Sequence, residues 1–178
     1  MRIISGEFKG RRFNPPAKNW PTRPTTDIAK EGLFNILQNR INFEETKMLD
    51  LFGGTGNHSY EFISRGCTDV TYVDKFYGCV QFVEKTVSEL KIENKISVYK
   101  QDVFEFLKTN RNKFDYIFAG PPYPLPNLRL IPDTIFLSDV LLEDGLFVLE
   151  HNPEHNFRLH PHYIEERNYG TTIFSFFK

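Results

Sequence analysis

Apolar residues in this chain follow two rhythms, short unbroken runs and stretches at helical spacing. Leu33, Ile36, Leu37 and Ile41 share one helical face, with Thr25 or Thr26 as cap and Asp27 in the first turn. Met48-Leu49-Asp50-Leu51-Phe52 is a short run that suits a strand buried on both faces. A helix capped by Asn57, covering Tyr60 to Arg65 and closed by Gly66, follows it. Val70–Val73 reads as a second strand, and Phe76, Val80, Val83, Val87 and Leu90 mark an amphipathic helix. Ile96–Tyr99 is a third strand, with a short helix from Asp102 to Leu107. Asp115–Ala119 is a fourth, followed by a helix around Thr134–Leu142 and a fifth strand at Leu146–Leu149. Tyr163–Glu166 and Thr172–Phe177, joined through Asn168-Tyr169-Gly170, form a closing antiparallel pair.

Alternating strands and helices predict an α/β fold, a Rossmann-like doubly wound sheet that is mainly parallel, with the antiparallel pair at one edge. Right-handed crossovers then bring the parallel strand ends to one edge of the sheet. Before this domain, Arg2–Ser5 and Arg11–Asn14 flank a loop with glycine at each end, the pattern of an N-terminal β-hairpin. A lone ribbon is marginal, so it must dock or be ordered by a partner. Pro15, Pro16, Pro21 and Pro24 make a stiff link that carries Trp20, which either packs on the body or stacks on a base. The division expected is 1–24 as arm and linker and 25–178 as the main domain.

A length of 178 residues allows one domain with a substantial core, and 18 Phe make its packing aromatic. No apolar run spans a membrane, and no signal peptide is visible at the start. Two cysteines suit a reducing cytoplasm. The net charge of −1 hides an asymmetry: Arg2, Lys9, Arg11, Arg12, Lys18 and Arg23 face only Glu7 in the first 24 residues. A basic arm on an acidic body suits a polyanion partner, although a solvated surface gives the same composition.

The candidate chemistry gathers at the strand ends. Gly53, Gly54 and Gly56 interrupt the chain after the first strand. They make either a bare strand-to-helix turn or a loop that a ligand approaches closely. The spacing is not that of a phosphate loop, and Asp50 just before it favours a cationic ligand. Asp74 after the second strand is placed for ribose hydroxyls and Asp102 after the third for an exocyclic amine, while either also serves as a helix cap. Gly120-Pro121-Pro122-Tyr123 removes two backbone donors and sets an aromatic plate beside carbonyl acceptors, which suits a planar amine-bearing base. Together the features fit a nucleoside with a positively charged tail. His151, His155, His160 and His162 are read as a surface loop, with no metal site.

Met1–Gly6 with Lys9-Gly10-Arg11, Arg23-Pro24-Thr25 with Asp27, Lys30–Leu37, Leu49–Phe52, Glu61 with Ser64-Arg65-Gly66, and Phe114-Asp115 carry a further signal. On these motifs the chain resembles, over essentially its whole length, the RsmD-type family of small-subunit (16S) ribosomal RNA guanine-N2 methyltransferases, class I enzymes using S-adenosylmethionine. The resemblance implies that Asp50, Phe52, Gly53, Gly54 and Gly56 contact the methionine part, Asp74 the ribose, and Asp102 with Val103 the adenine. It implies that Pro121, Pro122 and Tyr123 hold the target guanine. Arg2, Lys9, Arg11, Arg12, Arg23 and Thr25 would grip RNA in the small subunit or its assembling precursor. A cytoplasmic monomer is expected. One position departs: the family pattern has Asp where this chain has Gly120. The backbone carbonyl stays and a carboxylate acceptor for the amine is lost, which leaves Glu150 or a water to replace it. The alternatives are an RNA-binding or assembly protein silenced at Gly120, and a DNA adenine-N6 methyltransferase, for whose recognition domain the chain leaves little room.

Overall fold

A computed structural model describes residues 1–16, 20 and 25–178. Seven strands form one sheet in the order β3-β2-β1-β4-β5-β7-β6, built from β1 (Lys47–Leu51), β2 (Asp69–Asp74), β3 (Ile96–Lys100), β4 (Phe114–Ala119), β5 (Leu141–His151), β6 (Tyr163–Tyr169) and β7 (Thr172–Phe177). The first five are parallel, and β7 runs antiparallel between β5 and β6. The doubly wound expectation holds, with the antiparallel pair at one edge.

Helices α1 (Asp27–Leu37), α2 (Asn57–Ser64) and α3 (Tyr77–Leu90) cover one face, and α4 (Val103–Thr109) and α5 (Ile131–Leu137) the other. Alternation along each strand sorts the core. Met48, Tyr116, Phe118 and Val148 pack towards α1–α3, while Leu49, Leu51, Ile117 and Leu149 pack towards α4 and α5. By the same parity Asp50 and Glu150 belong to the α1–α3 face, so one polar position on each of two strands is carried to the same side of the sheet edge.

Several boundaries differ from expectation. The fifth helix starts at Ile131 and ends at Leu137, not Thr134–Leu142, because Pro132 sits in its first turn and Asp139 turns left-handed at φ 54. Leu141 and Leu142 open β5, past a register shift against β4. Gly56, at φ 77, caps α2 and Asn57 is its first residue, reversing the expected assignment. Thr26 rather than Thr25 caps α1, accepting from the Ala29 amide at 3.2 Å. Helix α1 stops at Leu37, and Ile41 packs on the core from the following turn. β6 extends to Tyr169, which leaves Gly170 and Thr171 as the turn. His151 is not in a surface loop: it ends β5 fully buried, with Nε2 2.8 Å from Ser175 Oγ.

The expected N-terminal hairpin is present as a short one: Arg2 pairs with Arg12, and the amides of Ile3, Gly10 and Phe13 donate to the carbonyls of Arg11, Ile3 and Met1 at 3.0, 2.9 and 3.1 Å. Its order comes from the body. Glu61, fully buried in α2, accepts the Ile4 and Ser5 amides at 2.8 and 3.0 Å. Ser64 accepts the Phe8 amide on Oγ at 2.9 Å and the Glu7 amide on its carbonyl at 2.7 Å. Ile3 enters the core at 2% exposure. Trp20 packs edge-on against Phe76 and Phe82. Among the described residues, no helix is long and apolar enough to cross a membrane.

Candidate active site

A cavity of about 190 Å³ opens at the carboxyl ends of β1, β2, β4 and β5. One wall is the glycine loop. β1 gives way to Phe52 at φ 55, and the Gly53 amide donates to the Val73 carbonyl at 3.1 Å. A Cβ on Gly53 would stand 2.3 Å from the Tyr72 ring, so only glycine lets the loop lie against β2. The Tyr72 hydroxyl donates to the Gly54 carbonyl at 2.6 Å, and the Gly54 amide donates to Asp74 Oδ2 at 2.9 Å. The other Asp74 oxygen accepts the Phe76 amide at 2.8 Å. Asp74 thus fixes both the loop and the start of α3 while lining the cavity. Burial raises its pKa against the pull of those amides.

Asp50 is 1% exposed. Its Oδ2 accepts from the Ser59 hydroxyl at 2.5 Å and the Ser59 amide at 3.2 Å. Its Oδ1 is buried with no hydrogen-bond partner among the described residues. Burial pushes this carboxyl up to about 7, the Ser59 bonds oppose the rise, and the Asp74 charge adds to it.

Phe118, the Gly120–Tyr123 turn, Thr25 and Glu150 form the opposite wall. Tyr123 donates to Glu150 Oε1 at 3.2 Å, and Thr25 donates to Glu150 Oε2 at 2.5 Å. Thr25, to which the resemblance gives an RNA contact, is thus seated in the cavity. Glu150 stands 6% exposed on the same lining as Gly120.

Of the residues singled out by sequence, Asp50, Phe52, Gly53, Gly54, Asp74 and Gly120–Tyr123 share this lining; Gly56, Asp102 and Val103 are not on it. Asp102 caps α4 through the Phe104 amide at 3.0 Å and lies 3.6 Å from Lys75 Nζ, and Val103 is buried in the core. Lys9, Arg11 and Arg12 are exposed, Arg2 faces Asp27 at 3.5 Å, and Arg23 lies outside the described residues. Sequence reading missed Asn57 as a lining residue, and also His58, Lys75, Phe76 and Phe118. Phe118 was legible by parity with Gly120; the His58 position carried no signal. Among the described residues, no group of three His, Cys, Asp or Glu side chains is placed to hold a metal ion.

The family model described as Conserved hypothetical protein 95 matches residues 1–178. The chain belongs to the RsmD-type methyltransferase family. Among relatives, YlbH of Bacillus subtilis is 35% identical over 157 residues, covering 86% of this chain and 84% of that protein. The Escherichia coli ribosomal RNA small subunit methyltransferase D is 30% identical over 147 residues, covering 80% and 72%. Among solved structures, yhhF of Escherichia coli superposes at TM-score 0.85 with 25% identity, over 99% of this chain and 96% of that one. A Thermus thermophilus 16S rRNA N2 methyltransferase, solved with AdoMet and guanosine, shares the fold at TM-score 0.69 and 21% identity, over 88% of this chain and 44% of that one. The RsmD-type chain therefore has the Rossmann-like methyltransferase sheet, with its cavity at the edge where the parallel strands end.

Proposed function

We propose that this chain transfers a methyl group from S-adenosylmethionine, the cofactor of its family, to N2 of a guanine in small-subunit ribosomal RNA. The observation that carries the reading is one cavity with two chemically distinct walls. An unpartnered buried carboxylate oxygen at Asp50 lines one, and Gly120-Pro121-Pro122-Tyr123 with Glu150 lines the other. The donor set fits the cofactor: Asp50 suits its cationic end, the open backbone of Gly53 and Gly54 admits close approach, and Asp74 is placed for hydroxyl donors. When bound, the cofactor supplies an electrophilic methyl group.

The remaining work falls to the chain. A guanine amine is a weak nucleophile because its lone pair is delocalised into the ring. Two acceptors that take its N–H bonds orient the lone pair, and orientation supplies much of the rate. The Gly120 carbonyl is one acceptor. Glu150 is the second, the carboxylate this chain offers where the family pattern has Asp at position 120, and it receives the proton that N2 gives up as the carbon–nitrogen bond forms and the sulfur–carbon bond breaks. Thr25 and Tyr123 hold it in place, and the Tyr123 ring gives the base a flat face. Residues 1–24 serve as an RNA-contacting arm on a methyltransferase domain of residues 25–178. The names of the relatives and the exposed Lys9, Arg11 and Arg12 support a ribosomal RNA partner.

The test is methyl incorporation from labelled S-adenosylmethionine into undermethylated small subunits, with Gly120→Asp alongside and the product nucleoside identified. N2-methylguanosine from the unaltered chain is expected. Binding of both cofactor and subunit without transfer, by either protein, would replace this reading with a silent RNA-binding protein. Transfer by Gly120→Asp alone would make Gly120 a lesion and remove Glu150 from its role.

A further inference from the structure

Asn57 is the first residue of α2 and lines the cavity beside the glycine loop. Lys30, 1% exposed, donates to Asn57 Oδ1 at 2.8 Å. The same ammonium donates to the Arg2 carbonyl and lies 3.3 Å from Glu61 Oε2. An ammonium has three donors and no acceptor, so it settles which way the amide faces: oxygen towards Lys30, nitrogen away from it. Asn57 Nδ2 is buried and makes no hydrogen bond among the described residues. A buried donor without an acceptor is costly, which marks it as a place where a ligand oxygen fits.

Asp50 is its mirror image. One half of each side chain is fixed by the protein, Asn57 Oδ1 by Lys30 and Asp50 Oδ2 by Ser59. The other half of each is buried and unpartnered, and both residues line one cavity. A fixed donor and a fixed acceptor, one backed by a lysine and the other a carboxylate, match a zwitterionic α-amino acid end. The ammonium goes to Asp50 and the carboxylate to Asn57. The start of α2 adds a partial positive charge on the same side.

We infer that Asn57 binds the α-carboxylate of the cofactor's amino-acid end, with Lys30 as the positioning residue that orients and polarises its amide. The inference rests on the S-adenosylmethionine reading above. It predicts that this chain discriminates against ligands lacking that carboxylate.

Calorimetric titration of the full chain with S-adenosylmethionine and with decarboxylated S-adenosylmethionine tests it. The unaltered protein should bind the decarboxylated ligand about tenfold or more weakly. Asn57→Ala should lose a similar factor for S-adenosylmethionine and less than about twofold for the decarboxylated ligand, because the group it recognises is already gone. Asn57→Asp keeps an acceptor for Lys30, and so keeps the fold, but turns a negative oxygen towards the carboxylate. It should bind S-adenosylmethionine more weakly than Asn57→Ala and leave the decarboxylated ligand little affected. Equal losses for both ligands in Asn57→Ala, or no loss for either, overturn the assignment. A loss confined to RNA binding would give the amide to a base carbonyl and also overturn it. Failure of the unaltered protein to bind either ligand would sink the cofactor reading itself, an outcome distinct from all of these.

Discussion

The rings of His58 and Phe118 lie face to face, centroids 3.8 Å apart and planes within 6° of parallel. His58 Nε2 is 3.1 Å from the Tyr116 hydroxyl, and burial holds its pKa well below the usual range, so a neutral imidazole braces Phe118. A Cβ added at Gly120 would meet Phe118 Cε1 at 3.1 Å. The braced ring thus occupies part of the space that a side chain at position 120 needs. Gly120→Asp should lower stability by about 1 kcal/mol, the mild end of overpacking, and Phe118→Leu in the same chain should recover part of the loss. Urea unfolding of the single and double variants checks this.

Glu150→Gln keeps the shape but replaces a carboxylate with a neutral amide, so that one of the two hydroxyls, Thr25 or Tyr123, must turn from donor to acceptor. Methyl transfer should fall by about 10²-fold in kcat while cofactor affinity stays within about twofold, since the charge acts on the acceptor's amine. Single-turnover transfer together with cofactor titration separates the two quantities. An equal fall in cofactor affinity would place Glu150 on the wrong side of the cavity.

Asp50 gives the site a pH dependence. Its carboxyl is raised by burial to about 7, so the folded chain keeps a proton that the unfolded chain loses near pH ~4. This contribution to stability is full below that lower value and disappears as the pH rises through about 7. A cationic ligand favours the ionised form and expels the proton. Cofactor affinity should therefore rise from about pH 6 to about pH 8 and then level off, with about half a proton released per ligand at neutral pH. Calorimetry in buffers of different ionisation heat measures that release, and Asp50→Asn should abolish it.

The central strand, the glycine loop and the residues at the strand ends were legible because periodicity and glycine act locally. Asn57 was misread as a cap because Asn is a good cap former, whereas Gly56 reaches φ 77 and takes the role. His58 gave no sign: an imidazole in a helix looks the same whether it faces water or, as here, Phe118. The fifth helix lies earlier than its apolar spacing predicts because Leu141 and Leu142 suit helix and strand equally, and Pro132 marks the start of the helix. Lys30 and Glu61 carry no local signal apart from the family resemblance. Their reason is a buried pairing across 31 residues of chain, which no local pattern encodes.

That pairing should be far more sensitive to substitution than an exposed ion pair. Lys30 and Glu61 have side chains 2% and 0% exposed. Burial lowers the Lys30 pKa, opposed by the Glu61 charge. Lys30→Met leaves Glu61 with Arg65 at 3.0 Å and strips the Arg2 carbonyl and Asn57 Oδ1 of their donor, and should cost about 2–3 kcal/mol. Lys47→Met, at an exposed pair 4.0 Å from Asp69, should cost less than about 1 kcal/mol. Denaturant unfolding of the two variants side by side gives the contrast.

The arm should act through charge alone. Replacing Lys9, Arg11 or Arg12 by Ala should weaken RNA binding and reduce the salt slope by about 0.7–0.9 for each phosphate left without its cation. Arg2→Ala should change the slope less, because Arg2 already faces Asp27. Binding isotherms across a salt series measure each slope.

Glu61 and Ser64 hold the arm by its main chain: the amides of Ile4, Ser5, Glu7 and Phe8 donate to them, and the Ser5 carbonyl accepts the Ser64 hydroxyl. Among the described residues, the side chains of Lys9, Arg11 and Arg12 take no part in that attachment. Recognition and anchorage are thereby uncoupled in one segment: the charge on the arm can be changed without unseating it, because the seat is supplied by two residues in a helix more than fifty positions away.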